Sequence, residues 1–447
     1  MTQSVFSPIP NIPNPKHKRI VIVGAGFAGL KLAQDLAHSD FQIVILDKNN
    51  YHMFQPLLYQ VATAALSPSA VSFPLRRLFH KIDNVIFRMA VVKEIDKKQN
   101  QIHTNLGSIS YDYLVLSQGA NTNYFGNQNI QKFCAPMKST SEALYIRNKI
   151  ISNYERAVNL ESEKERKPIM NVVVVGGGAT GVELAGSIAE LRNKVLPRDY
   201  PQLSFKNMRV ILIEAGNSLL SGLKPKSRDK ALHYLKKLGV EVMLNTMVED
   251  YDGFTVKLKD KEPIETLTLL WAAGIKANSL EGIEADQRAP NGRLLVDEFN
   301  RLQKEKNIFV LGDQCLQVGE KSPHGHPQVA QVAIQQAGNL AKNFKLELKN
   351  KAWKPFQYKD LGSMATVGKS MAVVDLPFIS FHGFFAWFVW LFVHLMAILG
   401  VKNKLMVFLT WSWKYLSFDP SLRLLIRPRY VKDFKRQWML EEKDYED

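Results

Sequence analysis

KRIVIVGAGFAG, residues Lys18 to Gly29, sets a run of apolar β-formers directly before Gly24, Gly26 and Gly29. That order is a strand entering a phosphate loop. Gly24 serves the tight turn, Gly26 lets backbone approach a pyrophosphate, and Gly29 lets the next helix pack close to the sheet. The helix N-terminus then faces the anion. A second apolar strand, Phe41 to Leu46, ends in Asp47, 23 residues after Gly24, where a carboxylate accepts from a ribose diol. The unit predicts a βαβ adenine-dinucleotide site.

The pattern occurs twice. NVVVVGGGATG, Asn171 to Gly181, carries Gly176, Gly178 and Gly181, and the strand Arg209 to Ile213 ends in Glu214. Gly176 and Glu214 are 38 residues apart, beyond the usual ~20. Leu191 to Met208, with two prolines, therefore reads as an insertion after the helix. One chain is expected to bind two dinucleotides.

Composition narrows the class. A chain of 447 residues, 46% hydrophobic, is long enough for about three domains. Lys and Arg number 58 against 42 Asp and Glu, and the net charge of +16 asks for an acidic partner. No helix-turn-helix, zinc spacing or other nucleic-acid signature accompanies it, which leaves an anionic membrane surface as the partner and no nucleic acid. Only Cys134 and Cys315 occur, so a disulfide framework is not expected and a reducing compartment suits the chain. The ten histidines show no metal-ligand spacing. Residues 1–17 are proline-rich without an apolar signal core, and read as a disordered leader.

In chain order, Asn49 to Pro68 is apolar, broken by Pro56, and too irregular for a surface helix. Tyr111 to Gly119, YDYLVLSQG, is a buried strand ending in glycine. The crossing between domains falls near 120–137. After it come a polar helix, the second fingerprint, a strand at Gly239 to Leu244, a hairpin-like stretch at Thr255 to Leu270, and LLWAAG, whose Ala273 and Gly274 leave room beside a nicotinamide ring. Asn307 to Leu311 is another buried strand, followed by Gly312-Asp313, an acid placed for a flavin ribitol. From Pro327, PQVAQVAIQQAGNLAKNF predicts a helix with proline in its first turn and its positive end toward the flavin pyrimidine. Gln331 and Gln335 share one face of it, with Gln336 beside them.

These residues resemble the type II NADH dehydrogenases, the single-subunit, non-proton-pumping NADH:quinone oxidoreductases. The resemblance runs from about residue 18 to 430. It is carried by FQPLLYQVAT (Phe54 to Thr63), GGGATGVELAG (Gly176 to Gly186), WAAG (Trp271 to Gly274), Gly312-Asp313 and AQVAIQQ (Ala330 to Gln336). Gln118 departs from the family's commoner threonine, and Cys134 lies where the family varies. The resemblance implies an α/β chain of two Rossmann-like domains plus a C-terminal helical membrane-anchoring region. The FAD domain takes 18–137 and 282–350, the NADH domain 138–281, and the anchor 351–447. It implies FAD contacts from Gly24, Gly26, Phe27, Ala28, Gly29, Asp47, Lys48, Pro56, Gln118, Gly119, Gly312, Asp313, Gln328, Val329 and Ala330. For NADH it implies Gly176, Gly178, Ala179, Thr180, Gly181, Glu214, Ala273 and Gly274. Glu183 is expected near nicotinamide and flavin, and Gln331, Gln335 and Gln336 at a membrane quinone.

The C-terminal stretch Leu376 to Gly400 carries no formal charge beyond its histidines and is long enough to span a bilayer. Against a span, Gly383 and Gly400 bracket only 16 residues, and a second apolar segment, Leu405 to Phe418, follows a short basic loop. Trp387, Trp390, Trp411 and Trp413 suit a headgroup interface, and Arg423, Arg427, Arg429, Lys432, Lys435 and Arg436 suit anionic lipid. A monotopic helical pair is expected, peripheral on the cytoplasmic side of the inner membrane, in a homodimer. NADH passes a hydride to the flavin and a quinone takes two electrons; Glu214 disfavours a 2′-phosphate, so NADH is preferred to NADPH. No run of spanning helices exists to pump protons. The competing readings are a sulfide:quinone oxidoreductase, which needs sulfur-carrying cysteines at the flavin, and a non-enzymatic membrane flavoprotein that senses NADH.

Overall fold

The computed structural model describes residues 7–320, 322–417 and 423–425. Its first sheet has five parallel strands in the spatial order Ile308–Val310, Tyr113–Leu116, Arg19–Val23, Gln42–Asp47, Val85–Met89. Arg19–Val23 is buried along its whole length, which is why it reads as a continuous apolar run rather than an alternating one. Its side chains still divide between two faces. Ile20 and Ile22 join a core with Phe309 and Phe344, while Val21 and Val23 join another with Val44 and Leu116. Helices Phe27–Asp35 and Ala330–Glu347 pack together on the first of these faces.

The second sheet repeats the plan. Its parallel strands run Ala135–Pro136, Thr268–Trp271, Val172–Val175, Val210–Ile213, Glu241–Met243. In each sheet the fingerprint strand is central, flanked by the acid-bearing strand and the return strand. The crossing is a two-stranded antiparallel ribbon, Ala120–Thr122 against Ile275–Ala277. The second fingerprint helix runs Ala179–Lys194, so the insertion begins after Lys194, with short helical turns at Leu196–Asp199 and Phe205–Asn207.

A third sheet, Ser363–Gly368, Met371–Asp375 and Ser380–His382, is antiparallel and leans on helix Ala179–Lys194. It corrects the reading of Leu376 to Gly400 as one apolar unit: Ser380–His382 is an edge strand, and the helix is only Phe384–Ala397. A second helix, Val401–Ser417, follows. No helix among the described residues is long and apolar enough to cross a membrane. On one side the pair meets no partner among the described residues: Phe384, Phe388 and Phe392, and Leu405, Phe408 and Leu409, are each more than half exposed. Trp390 is buried rather than interfacial, whereas Trp413 is exposed.

Two further expectations change. The leader is not free over its described part, because Ile9 is buried and its N–H donates to the Ser108 carbonyl at 2.9 Å. Of the basic cluster, Arg423 is ion-paired with Asp199, and Arg427, Arg429, Lys432, Lys435 and Arg436 lie outside the described residues.

Candidate functional site

The two glycine fingerprints fold into cradles of the same build. Gly24 and Gly176 take positive φ, 97° and 111°. A Cβ on Gly29 would fall 1.9 Å from the Gly24 carbonyl oxygen, and one on Gly181 would fall 1.8 Å from that of Gly176. The middle glycines differ in kind: a Cβ on Gly26 or Gly178 meets nothing within 4 Å. That open space, ahead of a helix N-terminus in both places, fits a dinucleotide pyrophosphate.

Each acid braces its own loop. Asp47 accepts from the Ala25 N–H at 2.6 Å and the Asn49 N–H at 2.7 Å. Burial raises its pKa, and those two bonds together with exposed Lys48 oppose the rise. Glu214 accepts from the Gly177 N–H at 2.5 Å and the Gly216 N–H at 2.6 Å. Both carboxylates thus stand at the cradle with lone pairs left for a ribose diol.

Around the first cradle the cover is aromatic. Phe27 meets His52 and Phe54 edge-on, at 5.4 and 5.8 Å. His52 is buried, bonded to the Ala25 carbonyl at 3.0 Å, and burial lowers its pKa. Pro56 lies in the turn Gln55–Leu57. Around the second cradle Gly178, Ala179 and Thr180 are exposed. Gly274 is exposed too, with the ring of Phe125 where its Cβ would point.

Where the domains cross, Gln118 donates its N–H to Gln314 at 2.7 Å and accepts from Asn278 at 2.9 Å. Gly119 follows at positive φ with open space beside it. Asp313, at the strand end, has its pKa raised by burial, opposed by the charges of Lys138 and Arg293. The Lys138 ammonium is in turn lowered by burial and supported by Asp313 and Glu142.

The glutamine helix departs from expectation. It begins at Ala330, because Val329 is extended and Gln328 reaches back to donate to the Asp313 carbonyl at 2.9 Å. Pro327 therefore precedes the helix instead of opening it. Gln331 and Gln335 share a face, and both amides are taken up by the backbone of 359–362. Gln331 bonds Gly362 at 3.0 Å and Leu361 at 3.1 Å; Gln335 bonds Lys359 at 2.8 and 3.0 Å. Gln336 is corrected outright. It is 1% exposed, accepts from the Gly312 N–H at 2.8 Å, and positions the Gly312-Asp313 turn rather than facing a quinone.

Glu183 lies in the first turns of helix Ala179–Lys194 and is buried. Its Oε1 accepts from the Thr366 N–H at 3.3 Å. Burial pushes its pKa up to about 8, against Thr366 and the nearby Trp390 indole, whose own N–H has no hydrogen-bond partner among the described residues. The carboxyl is therefore mostly protonated near pH 7. Trp390 stacks on His394 at 4.0 Å, and His394 meets Phe54 at 6.2 Å, so the C-terminal helix is joined to the cover of the first cradle.

Comparison with known proteins now bears on this geometry. Residues 18–337 match the pyridine nucleotide-disulphide oxidoreductase family, and residues 361–417 match the NDH2 C-terminal domain. The type II NADH:quinone oxidoreductase Ndh of Mycobacterium tuberculosis is 36% identical over 427 residues, 91% of this chain and 90% of that protein. The chain belongs to the type II NADH:quinone oxidoreductases. A probable NADH dehydrogenase of Dictyostelium discoideum is 28% identical over 89% of each chain. In fold, NDH2 of Plasmodium falciparum in complex with NADH superposes with a TM-score of 0.85 at 22% identity, covering 92% of this chain and 100% of that one.

As a member of this family the chain is a flavin-dependent oxidoreductase that carries electrons from NADH through FAD to a quinone. Four residues beside its cradles escape a linear reading: Lys138, Gln314, Thr366 and Trp390. Ser139 and Glu142 do form a capping box, legible as Ser-x-x-Glu. Nothing local, however, signals that Lys138 faces an aspartate 175 residues away.

Proposed function

We propose that the first cradle holds FAD and the second holds NADH, with the nicotinamide entering between Gly274 and the Glu183 helix and the quinone approaching from the C-terminal helices. The observation that carries this is the pairing of two like-built cradles, one flanked by Phe27, His52 and Phe54 and one without such aromatic cover, across a single antiparallel ribbon. FAD held in the first cradle would supply the two-electron chemistry that links NADH to the quinone. The chain does the rest. Asp47 and Glu214 hold the ribose diols, Gly26 and Gly178 admit the pyrophosphates, and the helix end at Ala330 offers positive potential where charge collects on reduction. Glu183, protonated and buried, has a proton to give close to the reacting region.

The chain works from the membrane surface: the exposed apolar side of helices Phe384–Ala397 and Val401–Ser417 lies on the cytoplasmic leaflet of the inner membrane as a monotopic anchor. Anionic lipid and a homodimer belong to the same reading. Against sulfide as donor stand both cysteines, buried, with thiol pKa values pushed up by burial to about 12 at Cys134 and about 11 at Cys315. Thiolate is the nucleophile such chemistry needs. The test is stopped-flow reduction of the FAD-loaded protein by NADH, then reoxidation by ubiquinone and menaquinone analogues, beside sulfide as donor. Rapid bleaching by NADH and reoxidation by quinone are expected. Bleaching by sulfide at the rate of NADH would overturn the assignment.

A further inference from the structure

A cleft with a cavity volume of about 80 Å³ opens between the two C-terminal helices, the far end of helix Ala179–Lys194 and the FQPLLYQ segment. It belongs to neither cradle. Its walls are aromatic: Trp387 faces Tyr415 across the two helices at 5.5 Å, and Trp411 donates its indole N–H to Gln60 at 2.7 Å. Among the described residues that line it are Lys194, Lys369 and Lys414 and one carboxylate, that of Glu190. The Lys369 ammonium lies 4.0 Å from the Tyr415 ring centroid and donates to the Tyr415 carbonyl at 2.7 Å.

We propose that this cleft binds one anionic phospholipid, its phosphate against the three lysines and its acyl chain along the aromatic walls. Two physical arguments converge. Among the lining residues lysines outnumber carboxylates three to one beside an apolar wall, the pattern an anionic amphiphile complements better than a neutral one. The helices that form the cleft are those whose other side exposes phenylalanines and leucines, so its mouth is at the level of the lipid. This inference rests on the membrane-surface reading. Its consequence reaches inward, because Trp390 and Thr366, which also line the cleft, are the neighbours of Glu183.

The experiment uses the full-length, FAD-loaded protein in neutral detergent micelles, reading tryptophan quenching by dibrominated phosphatidylglycerol against dibrominated phosphatidylcholine. Saturable quenching is expected, with half-effect at ~10-fold lower phosphatidylglycerol. In the combined variant Lys194→Gln, Lys369→Gln, Lys414→Gln that preference falls to within ~2-fold; Lys414→Gln alone lowers it ~3-fold and guards against misfolding of the triple variant. Equal quenching by the two lipids overturns the proposal. So does a triple variant that retains flavin and full preference, or loss of the preference on Arg427→Gln, Arg429→Gln, Lys432→Gln instead. Displacement by a short-chain quinone assigns the cleft to the electron acceptor, and displacement by glycerol 3-phosphate assigns it to free phosphate; either result overturns it. Sedimentation of the wild type with neutral vesicles tests the membrane-surface reading separately.

Discussion

The two cradles share every backbone device and differ in what surrounds them. At the first, Ala28 is buried, Phe27 is flanked by His52 and Phe54, and the acid is lifted by burial. Gly26 and Gly178 are exposed in both, but at the second cradle Ala179 and Thr180 stand in solvent as well. On the proposed assignment the same loop geometry serves two lifetimes: the cradle with aromatic cover would retain a resident group, and the more open one would let a substrate exchange. Cover, rather than fingerprint, would then distinguish cofactor from substrate.

The most severe way to break this comparison is to fill the reserved space at each loop. Gly26→Val and Gly178→Val place methyl groups where the protein has no atoms, so each should leave the fold intact and obstruct one ligand. Steric misfit of about 1–3 kcal/mol corresponds to ~10–100-fold in affinity. Gly26→Val should be purified largely without flavin. Gly178→Val should keep flavin and show a raised KM for NADH. Flavin absorbance per chain and steady-state kinetics check both; loss of flavin from Gly178→Val would remove the distinction between the cradles.

Glu214→Arg sharpens the same contrast at the acid. Two charge-assisted bonds to Gly177 and Gly216 disappear, and a cation suited to a 2′-phosphate takes their place. The ratio of kcat/KM for NADH over NADPH should fall by ~10–100-fold, the worth of ~1.5–3 kcal/mol. An unchanged ratio places the adenosine ribose elsewhere.

Glu183 lies on the second cradle's helix beside Thr366 and Trp390, and its effect is on pH dependence. Its folded pKa, about 8, is above the ordinary 4.5, so between those values the native state holds a proton that the unfolded chain has lost. Stability must then fall as pH rises through this window, by up to roughly 1.4 kcal/mol per unit. It levels off above pH ~8. Glu183→Gln should remove that slope in urea-unfolding midpoints measured from pH 5 to 9. A variant that keeps the full slope would show the carboxyl to be ionised in the folded chain.

What the linear sequence made legible follows from distance along the chain. Gly24 to Asp47 and Gly176 to Glu214 are local, so spacing alone carries turn, helix and acid. Apolar runs carry less. LPFISFH and FFAWFVWLFVHLMA both lack formal charge beyond a histidine, and pairing of Phe381 with Val374 makes the first an edge strand. The leader's Ile9 likewise acquires its meaning from Ser108. Helical spacing put Gln331 and Gln335 on one face, but the partner on that face, the backbone of 359–362, is visible only in three dimensions.

The smallest effect is expected at those glutamines, and it decides whether they serve the quinone or the fold. Each amide spans a donor and an acceptor of the segment leading into the third sheet, much as a neighbouring strand would. Gln331→Leu keeps approximate size and leaves the Leu361 N–H and the Gly362 carbonyl to water. Leu361 is exposed and Gly362 only partly buried, so the cost should be near ~1 kcal/mol, below that of a fully buried orphan. A quinone role adds a second signature: reoxidation of the reduced protein slows while reduction by NADH keeps its rate, because the acceptor loses an amide donor and the open cradle loses nothing. If the unfolding midpoint shifts and both half-reactions keep their rates, the glutamines are clasps for the C-terminal segment. In that case the quinone meets the flavin through groups other than this helix face, and Pro56 and Glu183 become the next positions to vary.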